Sequence, residues 1–205
     1  METQIGAQSK SEFRFWGEKY TFSSLFQLFL VCVFPIHIWA ILTALRDFSW
    51  VAERTRVWDA VGLISYAMIY ALMETISVFI VLCILGLFTP KQWNAERRAL
   101  LLGTLFLVVC LWAILGQLYS FWGGTLSKPL LDFLVQTGHP LRIVWGVVLP
   151  LIFLSAAIPS IALVTRDRVK DVIASVFERI SVLSAFYLLL DIVGIMIIFI
   201  RSITE

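Results

Sequence analysis

The chain has 205 residues, 60% of them hydrophobic and 15% charged, with a formal net charge of +2. Soluble domains carry about 45–50% apolar and about 25% charged residues, so the composition excludes an ordinary soluble domain. A charge so near neutral, with no basic stripe interleaved with aromatics, gives no ground for nucleic-acid binding.

Residues 1–22 are polar and aromatic and read as an N-terminal interfacial segment, without the pattern of a cleavable leader. Five apolar runs follow, at about 23–45, 62–88, 100–121, 143–164 and 180–200. Each reaches the roughly 20 residues that a helix needs to cross hydrocarbon. The predicted fold is all-α, a polytopic integral membrane bundle of about five helices with short interfacial helices, forming one domain over 23–205. Pro35 falls inside the first run, and Pro150 and Pro159 inside the fourth. Neighbouring helices can satisfy the freed carbonyls, and kinks are expected there.

The connections are short. Residues 46–60 read as interfacial rather than as a soluble loop. Ser127-Lys128-Pro129 opens a helical pattern that Gly138 stops, which predicts a short re-entrant or interface-lying helix. Over 167–180, Val169, Val172, Ile173, Val176 and Phe177 recur at the spacing of one helical face, with charged residues around the remainder. This amphipathic stretch leads into the fifth run. It is expected either to lie in the interface or to dock a partner helix.

An odd number of spans puts the two chain ends on opposite faces. Of the 16 Lys and Arg, ten fall on the N-terminal side, and Arg46, Arg54, Arg56, Lys128, Arg142 and Arg201 fall on the other. That bias predicts a cell-membrane protein with a cytoplasmic N-terminus. Trp16 and Trp93 mark one interface, and Trp50, Trp58, Trp122 and Trp145 the other. Trp39-Ala40-Ile41-Leu42 recurs as Trp112-Ala113-Ile114-Leu115, a short echo that neither Pro35 nor Glu74 shares.

Two carboxylic acids, Glu74 and Asp191, fall near the middles of the second and fifth runs. An ionisable group at membrane depth costs a few kcal/mol on insertion scales, so it faces protein, a cavity or a partner. Ala67, Ala71, Glu74 and Ser77 share one helical face, and Ser184, Tyr187, Asp191 and Gly194 share another. Small residues on such faces let helices approach closely. His37 falls at similar depth in the first run. We therefore take Glu74, Asp191, His37, Tyr187, Ser77 and Ser184 as the candidates for helix pairing or a proton or ion pathway, and expect the two acidic stripes to face each other.

Three functional readings use this set. In the first, the acids organise a non-enzymatic component of a membrane assembly, as a homo-oligomer or with other membrane subunits. In the second, they carry protons or cations through a small transporter or channel. A membrane-embedded lipid-modifying enzyme is the third. No GxSxG, HExxH, Walker lysine loop or dinucleotide fingerprint occurs, so no catalytic residue is assigned. The three cysteines lie inside apolar runs without metal-ligand spacing and read as fillers. His37 lacks a second histidine at its depth, so no metal or cofactor is expected.

Overall fold

The computed structural model describes residues 14–15, 19–90, 92–121 and 123–204. Lys10, Trp16, Lys91 and Trp122, used above for orientation and interfaces, lie outside them. Strand β1 (Arg14–Phe15) pairs antiparallel with β2 (Tyr20–Thr21). Among the described residues six helices follow: α1 (Phe22–Arg54), α2 (Val57–Leu87), α3 (Ala95–Phe121), α4 (Lys128–Gln136), α5 (Pro140–Thr165) and α6 (Asp167–Thr204). All except α4 are long and apolar enough to cross a bilayer. The protein is an all-α membrane helical bundle, and the β1–β2 ladder is its small departure from that class.

Local chemistry sets the helix starts. The Ser24 amide donates to Thr21 Oγ1 at 3.2 Å and the Thr21 amide to Ser24 Oγ at 3.1 Å, a reciprocal box opening α1. Asp59 accepts from the Arg56 amide at 3.1 Å before α2, and Asn94 from the Arg97 amide at 2.9 Å before α3. Gly138, at φ +70°, breaks the chain between α4 and α5. Residues 46–60 are mostly helical: α1 continues to Arg54, and a two-residue break precedes α2. Arg54 lies over the Trp50 ring one turn back, at 4.2 Å, which favours the extension. Residues 167–180 likewise form the first turns of α6 without a break, so α6 is about 57 Å long. Helical structure also runs through Pro35, Pro150 and Pro159.

Helix α1 is central, packed on α2, α3 and α6, while α5 lies outside against α3. Strand β2, the end of α2 and the start of α3 share one end of the bundle with the start of α6. The start of α2 and the end of α6 share the other.

One core cluster joins Leu28, Cys32 and Ile36 of α1 to Ala71 and Leu82 of α2 and Phe106 of α3. A second joins Val31, Leu100, Leu163 and Phe177. Burial from lipid brings little hydrophobic gain, so close packing has to hold such a bundle. Gly103 of α3 lies against the Phe177 ring, and Gly194 of α6 faces the Ser65 backbone of α2; a Cβ at Gly194 would stand 3.3 Å from the Ser65 carbonyl oxygen. The outward faces, including most of α5, are apolar and exposed.

Candidate functional site: a buried pair and a lateral cleft

His37 and Asp191 meet between α1 and α6, 0% and 1% exposed. The imidazole Nε2 lies 3.0 Å from Asp191 Oδ2 and 3.2 Å from Oδ1. Its Nδ1 lies 2.9 Å from the Val33 carbonyl, one turn back on α1. A carbonyl only accepts, so Nδ1 carries a proton and donates to it. The gap between Nε2 and the carboxyl group then holds one further proton. On nitrogen it makes an imidazolium–carboxylate pair, and on oxygen a neutral pair in which Asp191 donates. Both forms have no net charge, which suits a site away from water.

Neighbouring groups complete this seam. Tyr187 stacks on the imidazole, with ring centroids 6.1 Å apart and planes inclined by 12°. Ser184 donates to the Leu30 carbonyl of α1 at 2.5 Å. Thus Ser184, Tyr187 and Asp191 of α6 all address α1, and Gly194, one turn further on, addresses α2.

Glu74 lies elsewhere. Its side chain is exposed and lines a cleft of about 120 Å³ with Pro35, Ile36 and Trp39 of α1 and Cys110, Ala113, Ile114 and Gln117 of α3. Taking 100° per residue, those α1 residues point on average roughly 135° away from Val33 and His37, so the two acids stand on opposite sides of α1. The acidic stripes therefore do not face each other. Rotation of α1 between α2 and α6 separates them, and the Asp191 stripe meets His37 instead. Ser77 is exposed and donates to its own Met73 carbonyl at 2.9 Å. No hydrogen bond or ion pair to Glu74 occurs among the described residues.

The apolar face at the start of α6 is divided. Phe177 is buried against Val31, Leu100 and Leu163, and Ile173 packs on the same cluster. Val169 is half-buried, whereas Val172 and Val176 are exposed. Lys170 pairs with Glu96 at 3.1 Å and Arg97 with Asp167 at 3.6 Å, which fixes this end of α6 to α3.

Arg98 is a site that sequence reasoning missed. It is fully buried and its guanidinium donates to Thr89 Oγ1 at 2.6 Å, to the carbonyls of Pro90 at 3.3 Å and Trp93 at 3.1 Å, and to that of Lys19. It also lies 5.5 Å from the centre of the Tyr20 ring. Tyr20 donates to the Cys83 carbonyl at 2.9 Å. Burial pushes the Tyr20 phenol up to about 12, with Cys83 adding to the rise and Arg98 opposing it. Arg98 thereby ties β2 and the α2–α3 turn together. The available signal was its position where a charged cap abuts the apolar run from Ala99.

The three cysteines are free thiols, Cys32 and Cys83 buried and Cys110 half-buried. Among the described residues no three His, Cys, Asp or Glu side chains converge as a metal site would require. No protein-family model, curated protein or solved structure matches this chain.

Proposed function

We propose that the protein is a non-enzymatic subunit of a membrane assembly, with His37 and Asp191 holding its own bundle closed and Glu74 left for another molecule. One observation carries this reading: Glu74 is exposed two residues past the midpoint of α2 and has no protein partner among the described residues. A carboxyl group at that depth is costly to leave against acyl chains, so an associating group is the economical completion of the site. A proton or cation path through Glu74, Asp191 and His37 fits less well, because the acids occupy opposite faces of α1 and the His37–Asp191 pair is enclosed.

The proposed setting is the cell membrane, with the Lys19, Arg97 and Arg98 end cytoplasmic and the Arg201 end outside. Native mass spectrometry of the full chain, extracted from its own membranes in mild detergent, tests the assembly. A reproducible complex with a second copy or another membrane protein is expected. A monomer in every mild detergent would overturn the reading.

A further inference from the structure

We infer that the cleft at Glu74 receives a Lys or Arg side chain carried near the middle of a transmembrane helix of a different protein. The inference rests on the assembly reading and adds the partner's chemistry.

The chemistry of the cleft is that of a cation seat. Glu74 supplies an unpaired carboxyl group at membrane depth, and Gln117 supplies a carbonyl oxygen nearer the Arg201 end. Trp39 adds an aromatic wall, which favours a cation. Pro35, Ile36 and Ala113 complete an apolar lining suited to the stem of a long basic side chain. At about 120 Å³ the space is well below the roughly 300–1,000 Å³ of a drug-sized ligand pocket, so it matches a side chain.

Among the described residues no cation fills this seat. His37 is engaged by Asp191 on the opposite face of α1. No Lys or Arg occurs within 20–45, 57–90, 99–127, 143–165 or 180–200. A second copy therefore brings no basic residue to the depth of Glu74, and charge complementarity selects a different protein. Once seated, the ion pair would be shielded from water and stronger than one on a soluble surface.

The test uses the full chain in phosphatidylcholine vesicles with synthetic transmembrane peptides of about 22 residues, Leu- and Ala-rich, each bearing a dansyl group. One has a central Lys, one a central Leu, and one a Lys at its end. Energy transfer from the protein's tryptophans reports association. The central-Lys peptide is expected to bind about tenfold more tightly than the other two, the scale of one good interhelical polar contact. Glu74→Gln, which keeps the shape and removes the charge, is expected to abolish that preference without moving the thermal melt. Equal binding of the three peptides, or a preference that survives Glu74→Gln, overturns the inference. So does a simple lipophilic amine that binds through Glu74 while the central-Lys helix does not. The native complex separates the two proposals: one that survives Glu74→Gln leaves the assembly standing and removes the cation seat, whereas its absence from wild-type membranes removes the assembly.

Discussion

Asp191 reaches across from α6 to His37 on α1 with both carboxyl oxygens within 3.2 Å of one ring nitrogen, while the other nitrogen is committed to the Val33 carbonyl. The arrangement has a direction: a donor is obligatory at Nδ1, and the remaining proton bridges the two side chains. Removing either partner therefore strands the other, and removing both strands neither.

His37→Leu leaves a buried carboxyl group alone and should cost about 3 kcal/mol of bundle stability. Asp191→Asn should cost only about 1 kcal/mol, because its amide can still donate to Nε2. In a cycle of wild type, His37→Leu, Asp191→Leu and the double variant, the double variant should lose about 2 kcal/mol less than the two single losses added together. Unfolding of the four proteins in mixed micelles would measure it. Additive losses would show that the pair does not act as a unit.

Gly103→Ala places a methyl group into the Phe177 ring, and Val31 lies behind it. The ring has no free space in a dense core, so a loss of about 1–3 kcal/mol is expected. The companion variant Phe177→Ala should restore part of the melting temperature of Gly103→Ala by opening the space. A double variant less stable than either single one would contradict this packing.

Arg98→Lys keeps the charge and loses the planar fork that reaches Thr89, Pro90, Trp93 and Lys19. Several buried carbonyls would lose donors, so we expect about 2 kcal/mol of destabilisation or more. Hydrogen exchange should rise at Tyr20, Thr21 and the α2–α3 turn while α5 is unchanged. Uniform acceleration along the chain would refute a local role.

The Tyr20 phenol gives a pH dependence with a definite sign. Between its ordinary value of 10.0 and its folded value of about 12, the unfolded chain releases a proton that the folded chain keeps. Stability should fall as pH rises through that window and be unaffected by this group below it. Tyr20→Phe should flatten the slope and cost about 1 kcal/mol at neutral pH from the lost bond to Cys83. Melting temperatures of both proteins from pH 8 to about 12 decide it.

Among the described residues, helix α5 is anchored by one polar contact to another helix, from Trp112 Nε1 to Ser155 Oγ at 2.9 Å. Its remaining contacts are apolar and sparse. Ser155→Ala should raise exchange along α5 several-fold and leave α1, α2 and α6 protected as before. Equal protection of α5 in both proteins would show that the contact does not anchor it.

Much of this architecture is visible in the residues. Apolar runs of about 20 residues gave the five spans because a helix is the one structure in which a single segment satisfies its own backbone in lipid. The first boundary fell short where polar and aromatic residues continue the helix beyond the apolar run, from Arg46 to Arg54, whereas the apolar spacing over 167–180 does mark the helix that leads into the fifth span. The partners of Asp191 and Glu74 were not legible. Spacing within α2 and α6 fixes which residues share a face, but the rotation of α1 decides which face that stripe meets. Arg98 was hidden for a related reason: adjacent Arg97 and Arg98 differ by about 100° around the helix, and tertiary packing chooses the inward one.

Because α6 is one unbroken rod from Phe177 to Asp191, its two ends are geared together. Phe177 is seated against Gly103, and Asp191 lies 14 residues on, about 21 Å along the axis. A single alanine inserted between them would turn Asp191 by about 100° and carry it away from His37 while Phe177 kept its seat. A membrane helix tolerates many substitutions on its lipid side, yet between these two positions it has almost no freedom to change length.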